Sequence, residues 1–343
     1  MSQPSRFVMV GAGFWAPYQL SAWGEHPDAQ CVGIVDRDVD RAEHLAFRFG
    51  VPFFSAELED AIAATEPDFL DIVTHPSTHR PLVMEALDLG IPVITQKPMA
   101  ETWDDAKHMV QSCSDAQVPL LVHENWRWQH PLRHLHRALG SGKLGRILRA
   151  RITFITGANI LANQPYLGEL EEYLLMDLGV HILDVARFLF GEAESLVCQL
   201  DRAHPHIKGE DMATVMLKMG GVTVTCEMAE AETPLRHDQG ETFVFIEGDQ
   251  GSLELGPGYQ LYSTTRDGTT VESVAPPEYA WTHPDYALYQ SAMVPCLGNL
   301  LGALRKQNRA ETTGLDNLET LRLVHAAYQS AREERVVRLR ELL

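Results

Sequence analysis

The stretch Phe7-Val8-Met9-Val10-Gly11-Ala12-Gly13-Phe14-Trp15-Ala16 reads as a buried strand running straight into a glycine turn and then a helix. Gly11 allows the tight turn, and Gly13 lets backbone N–H groups approach a pyrophosphate. The helix that follows aims its positive end at that charge. A second apolar run, Cys31-Val32-Gly33-Ile34-Val35, ends in Asp36. That acid lies about twenty residues past the turn, where a carboxylate accepts hydrogen bonds from an adenosine ribose. Strand, turn, helix and acid together point to a dinucleotide, which the triplet G-x-G-x-x-A alone does not. Asp36 favours NAD over NADP, because it would face a 2′-phosphate at close range, although the neighbouring Arg37 could accept one.

Around this unit the chain alternates strands and helices, as a doubly wound parallel sheet requires. A helix over 38–49 closes at Gly50, a strand covers 69–73, a helix 79–89 stops at Gly90, and a strand follows at 92–95. Thr102 precedes the next helix with Asp105 three residues on, a variant of the capping box. The strand 119–122 ends a nucleotide-binding domain spanning 1–123. The remainder, 124–343, reads as a substrate-binding and oligomerisation domain. It has a long strand at 147–155, a helix at 173–190, strands at 195–200, 213–218, 222–228, 242–246 and 252–255, and helices at 286–306 and 315–333. Strands in such a run make a large, open, mostly antiparallel sheet with helices on one face.

Composition narrows the setting. The 343 residues carry a formal net charge of −19 and 45% hydrophobic residues. Nucleic-acid binding needs clustered Lys and Arg to displace counterions, and no basic stripe occurs. No apolar run approaches the roughly 18 residues needed to span a bilayer. The apolar N-terminus supplies the glycine turn instead of a signal peptide, with no cleavage region after it. Five cysteines (Cys31, Cys113, Cys198, Cys226, Cys296) lie scattered, as reduced cytoplasmic thiols do.

Three segments converge on one site. Thr95-Gln96-Lys97-Pro98 follows a strand at the carboxyl edge of the parallel sheet, where ligands of open α/β folds bind. Pro98 restricts the backbone of Lys97. Thr74-His75-Pro76-Ser77-Thr78-His79 ends another such strand, with polar groups suited to the nicotinamide end of a cofactor. His75 and His79 imitate a metal pair, but Pro76 breaks the helical spacing, and no metal site is expected. In Met176-Asp177-Leu178-Gly179-Val180-His181-Ile182-Leu183-Asp184, one helix face carries Asp177, His181 and Asp184. Asp177 and His181 are read as functional, and Asp184 as the partner of Arg187.

Together, Gly11-Ala12-Gly13, Asp36, Thr74 to His79, Gln96-Lys97-Pro98, Asp177 with His181, and the ending Ser330-Ala331-Arg332-Glu333-Glu334-Arg335-Val336-Val337 resemble the Gfo/Idh/MocA oxidoreductases. The resemblance runs over about residues 6–339. It implies a Rossmann domain plus an α/β domain, NAD or NADP as hydride carrier, and a sugar, polyol or related substrate. Lys97 matches the lysine of the family's E-K-P motif, and Asp177 and His181 its D-x-G-x-H pair. The implied cofactor-binding residues are Gly11, Gly13, Phe14, Trp15, Asp36, Arg37, Thr74, His75, Pro76, His79, Gln96, Lys97 and Asn125. The implied substrate-binding residues are Lys97, Trp126, Arg127, Tyr166, Asp177 and His181. Two departures stand out: the E-K-P glutamate is replaced by Gln96, and the third fingerprint glycine by Ala16. The segment Val122-His123-Glu124-Asn125-Trp126-Arg127-Trp128 and Gln164-Pro165-Tyr166 suggest a subgroup for pentose-like or branched sugars such as apiose.

Oxidising a sugar alcohol requires a base for the hydroxyl proton, and the imidazole of His181, with a reference pKa around 6.5, suits it. Lys97 would stabilise the developing alkoxide, and Asp177 would orient substrate or hold the lysine and histidine in place. Trp126 and Trp128 are candidates to stack on a sugar face. Strands rich in apolar residues with few covering helices imply a homodimer or homotetramer. Two other readings are a non-catalytic nicotinamide-sensing regulator and an NAD-dependent glycosidase of the same family.

Overall fold

The computed structural model describes residues 3–157, 160–162, 164–230 and 240–342. It divides into two compact units, Met1–Asn125 with Glu278–Leu318, and Trp126–Pro277 with Glu319–Leu343.

The first unit opens with β1 (Ser5–Val10), α1 (Ala16–Gly24), β2 (Ala29–Val35), α2 (Val39–Phe49), β3 (Phe54–Ser55), α3 (Leu58–Thr65) and β4 (Phe69–Ile72). It continues with α4 (His79–Asp88), β5 (Val93–Gln96), α5 (Trp103–Asp115) and β6 (Leu120–His123). The strands form one parallel sheet in the order β3-β2-β1-β4-β5-β6. Phe7 to Val10 are buried without alternation, as a parallel strand covered on both faces demands. The helix ends follow local chemistry. Asp38 accepts the Arg41 N–H at the start of α2, Gly50 closes it in the left-handed region at φ +66°, and Thr102 accepts the Asp105 N–H at the start of α5.

The second unit begins with α6 (His130–Gly140) and β7 (Ile147–Thr156), followed by α7 (Val180–Phe190). The remaining strands are β8 (Ala193–Asp201), β9 (Met212–Met219), β10 (Val222–Glu230), β11 (Phe243–Gly248), β12 (Gly251–Gly256), β13 (Gln260–Thr265) and β14 (Gly268–Ser273). With β15 (Val337–Arg338) they form a nine-stranded sheet, β14-β13-β12-β11-β7-β10-β9-β8-β15. Among the described residues of this sheet, only the β7–β10 pair is parallel. Val244, Ile152, Cys226 and Val215 are buried on one face and neighbour one another across the register, which makes that face the core.

Two helices complete the chain, α8 (Ala287–Leu304) and α9 (Gly314–Glu333). The single boundary expected near 123 assigns α8 to the second unit, but α8 packs on α1 of the first. The Val294 carbonyl lies 2.8 Å from His26 Nε2, and Thr312 exchanges hydrogen bonds of 2.7 and 2.8 Å with Val122 at β6. Amphipathic spacing predicts a helix but is silent on which core receives it. The expected helix 173–190 is also divided. Leu175–Gly179 forms a π-helical turn before α7 begins, a local irregularity that often marks functional positions.

Candidate active site

In the first unit the glycine turn is sterically required. Gly11 sits at φ +108°, and a Cβ there would lie 2.5 Å from the Val73 carbonyl oxygen. A Cβ on Gly13 would meet no protein atom within 4 Å, so the backbone here faces open space. Asp36 lies beside this turn. One carboxylate oxygen accepts the Ala12 N–H at 2.7 Å and the other the Asp38 N–H at 2.9 Å. Each oxygen keeps a lone pair for a ribose hydroxyl. Open space over the turn, a carboxylate beside it and the N-terminus of α1 fit a dinucleotide. Arg37 is exposed next to Asp36. Phe14 and Trp15 join Tyr18 and Tyr286 in an aromatic cluster with ring centroids 5.0–6.0 Å apart.

Two loops at the carboxyl edge are tied together by His79. Its Nδ1 lies 3.1 Å from the Pro98 carbonyl and 3.2 Å from that of Met99, and its Nε2 lies 3.1 Å from the Thr74 carbonyl. His79 is fully buried, and burial pushes its pKa down to about 4. Direct contact of His79 with a cofactor is therefore replaced by a staple between the Thr74 loop and the loop bearing Lys97. His75 caps the short turn Pro76–Thr78 and lies 3.6 Å from Glu101. Thr74 accepts the Thr78 hydroxyl at 2.7 Å. The Lys97–Pro98 peptide is cis, and the Lys97 N–H donates to Gln96 Oε1 at 3.2 Å. Asn125 donates its amide to the Tyr289 carbonyl at 2.8 Å.

Beneath Lys97 lies a group that sequence reasoning missed. Asp71 is fully buried, accepting from Gln19 Nε2 at 2.7 and 2.9 Å and from Trp23 Nε1 at 2.7 Å. Burial pushes its pKa up to about 6, against the donation from Trp23 and Gln19. The signal was an acid within an otherwise apolar strand, a residue type that is rarely fully buried unless paired.

In the second unit, His181 opens α7 and is 6% exposed. Its ring lies flat on Trp126, with centroids 4.6 Å apart and planes 7° apart, and Trp126 meets the edge of Phe154 at 5.0 Å. Trp126 is itself buried, so it supports the imidazole instead of offering a face to a sugar. Arg127 is also withdrawn from a substrate role. Its Nε and Nη2 grip the two oxygens of buried Asp184 at 2.7 and 2.5 Å. Asp184 thus pairs primarily with Arg127, while Arg187 stays 3.9 Å away and binds Glu192 and Thr320. Trp128 carries the Arg133 guanidinium 3.5 Å above its ring.

Asp177 sits on the π-helical turn, partly exposed. A Cβ on Gly179 would come within 2.9 Å of the Leu175 side chain and 3.4 Å of the Met228 sulfur, so the glycine permits close packing on β10. Glu210 accepts the Tyr173 N–H at 3.3 Å, the Leu175 N–H at 3.0 Å and the Tyr328 hydroxyl at 2.7 Å, anchoring the turn's first amides. The Tyr173 hydroxyl donates to Glu230. Tyr166 remains 41% exposed, and its phenol is pushed above the usual range by burial of the hydroxyl and then by the Asp177 charge. Among the described residues no group of three or more His, Cys, Asp or Glu is arranged to hold a metal ion. Nor is any helix long and apolar enough to cross a membrane.

Residues 5–124 match the family model described as "Oxidoreductase family, NAD-binding Rossmann fold", and residues 132–254 match the "GFO/IDH/MocA C-terminal domain". The chain is 38% identical over 336 residues to the D-apiose dehydrogenase of Paraburkholderia graminis, covering 98% of this chain and 90% of that protein. It is 35% identical over 337 residues to the D-apiose dehydrogenase of Rhizobium rhizogenes, covering 98% of both. An oxidoreductase from Agrobacterium radiobacter, crystallised with NAD+, L-tartaric acid and magnesium, superposes with a TM-score of 0.96 at 35% identity, covering 99% of this chain and all of that one. The two named dehydrogenases match along nearly the full length of this chain, which favours neither the regulator nor the glycosidase reading. A Rossmann unit, a mostly antiparallel partner sheet and both family models thus make this chain a member of the Gfo/Idh/MocA family, an NAD-dependent oxidoreductase acting on a sugar.

Proposed function

We propose that the chain is a cytoplasmic, homo-oligomeric dehydrogenase whose substrate is D-apiose or a closely related branched pentose. The observation that carries this reading is the near full-length identity to two D-apiose dehydrogenases. The first unit holds NAD, chiefly through the turn at Gly11 and Gly13 and through Asp36, with Phe14, Trp15, Arg37, Thr74, His75, Pro76 and Asn125 completing the site; Gln96 holds the Lys97 backbone, and Lys97 acts on the sugar. The second unit binds the sugar, with Tyr166 beside Asp177 and His181. The roles proposed are base for the hydroxyl proton at a ring nitrogen of His181, hydrogen-bond donor to the developing alkoxide for Lys97, and orientation of the sugar for Asp177. NAD, when bound, supplies the hydride acceptor. The free state of all five cysteines supports a reducing compartment.

Turnover of D-apiose, aldoses, polyols and inositols with both nicotinamides tests the reading. D-apiose with NAD is expected to give the highest kcat/KM; an inositol or hexose exceeding it by about tenfold, a preference of about 1.4 kcal/mol, overturns it. Asp36 sets the cofactor. Two like charges about 4 Å apart at an effective dielectric near 20 repel by about 4 kcal/mol, which solvent reduces to one or two orders of magnitude in preference for NAD. Asp36→Ser is expected to narrow that preference, and equal efficiency in the unaltered enzyme would assign control to Arg37.

The open face of the second sheet supports assembly. One transverse row runs Val197, Met216, Thr225, Arg151, Phe245, Glu254, Tyr262, Val271, and Met216, Tyr262 and Val271 are exposed. A second copy of the chain is the proposed cover for the apolar members of this row, which are interspersed with Thr225, Arg151 and Glu254 in the mixed character of an assembly surface. Light scattering at micromolar concentration is expected to give a dimer or tetramer; a mass near 38.3 kDa refutes it.

A further inference from the structure

A directional hydrogen-bond chain crosses the first unit under the Lys97 loop. It begins at Asp71 on β4, passes through Gln19 on α1 and Gln96 at the end of β5, and reaches His123 at the end of β6. Gln19 and Asp71 are fully buried. An ionised carboxylate only accepts, so the Gln19 amide nitrogen must face it, as the contacts of 2.7 and 2.9 Å require. Gln19 Oε1 is thereby turned toward Gln96, whose Nε2 donates to it at 2.5 Å and lies 2.8 Å from His123 Nδ1. With both amide hydrogens so used, Gln96 Oε1 is the atom left to receive the Lys97 N–H at 3.2 Å. Trp23 Nε1, 2.7 Å from Asp71, cannot accept and so fixes the polarity from the far end. Reversing either amide would set donor against donor or acceptor against acceptor in a buried place.

We infer that Asp71 is a positioning residue for Lys97, acting through Gln19 to fix the direction of the Gln96 amide that holds the Lys97 backbone. The family's motif has a carboxylate at position 96; this chain has an amide there and a carboxylate two hydrogen bonds away. The two positions act as a matched pair. The change Gln96→Glu would present only acceptors to Gln19, forcing that amide to turn its oxygen onto Asp71. Adding Asp71→Asn lets the whole chain reverse. Gln19 then donates to the carboxylate introduced at position 96 and accepts from the amide introduced at position 71, while Trp23 still donates to that amide's oxygen. The inference rests on the catalytic role proposed for Lys97.

The test is a double-mutant cycle in the full chain: Gln96→Glu, Asp71→Asn and both together. It is read as kcat and KM with NAD and D-apiose, and as melting temperature with and without NAD. Each single change is expected to lower kcat on the order of tenfold to a hundredfold, with little change in KM, because a displaced Lys97 loop misaligns the reacting groups. The double variant is expected to recover kcat to within about threefold of the unaltered enzyme, a coupling typical of residues in one network. Additive losses overturn the inference, as does full kcat in Gln96→Glu. Coupling confined to melting temperature, with kcat unmoved, overturns the positioning role and leaves a structural one. Should Asp71→Asn not fold, Gln19→Met cuts the chain between the two positions; a folded Gln19→Met with unaltered kcat overturns it equally. If Lys97→Ala keeps its turnover, or D-apiose is not turned over at all, the proposed function fails, while the coupling in melting temperature still reports whether the chain is directional.

Discussion

Replacing His181 with alanine is expected to lower kcat by about a hundredfold to ten-thousandfold while leaving NAD affinity nearly unchanged, and Lys97→Ala is expected to do the same. His181 is held by the flat face of Trp126 and sits in the second unit. Lys97 ends a strand of the first unit on a loop anchored by Gln96 and by the His79 staple. Neither residue belongs to the glycine turn or the Asp36 contacts, so cofactor affinity and turnover should separate. Steady-state rates with titration of NAD by protein fluorescence check this. A variant that keeps more than about a third of its turnover removes that residue from acid–base work, since such groups contribute at least two orders of magnitude.

Arg127→Met is expected to destabilise the second unit by about 3–5 kcal/mol, because it strands the fully buried Asp184 carboxylate. Thr320 Oγ1, 3.0 Å from Asp184 Oδ1, and Arg187 at 3.9 Å do not replace a bidentate guanidinium. Replacing both partners with apolar residues, Arg127→Met with Asp184→Leu, should recover most of the loss, since removing the whole pair leaves no buried charge alone. Denaturant titration measures both. A single-variant loss under about 1 kcal/mol, the range of exposed pairs, would mean water reaches Asp184. KM for the sugar distinguishes the roles weighed for Arg127. A structural partner leaves it nearly unchanged, whereas a substrate contact raises it.

Local chemistry made the first unit readable. The turn at Gly11, the acid at Asp36 and the Thr102 cap each depend on neighbours within a few residues or on a fixed spacing from a strand. Lys97, Asp177 and His181 are proposed from motif position. Their supports were not legible, because partners such as Trp126 with His181 and Arg127 with Asp184 lie more than fifty residues apart. A tryptophan and an arginine beside a sugar site look like ligand contacts, and only packing shows that one props an imidazole and the other neutralises a buried acid. Strands β13 and β14 went unread for a different reason. The sequence Gly268–Ser273 is exposed along its whole length, so no alternation marks a face. Asp71 was readable and passed over; a lone acid in a buried strand asks which donors meet it.

The return of residues 278–318 to the first unit orders events during synthesis. A nascent chain that has emerged through Asn125 has every strand of the parallel sheet but neither the helix that covers α1 nor the Thr312 segment that borders β6. At about 5–20 residues per second, roughly 8–30 s pass before Glu278 is made, and longer before Leu318. Through that interval the ribosome carries a nucleotide-binding half with an uncovered helix, while the intervening residues are free to form their own sheet. The unit begun first is finished only after strands β7 to β14 of the second have been made.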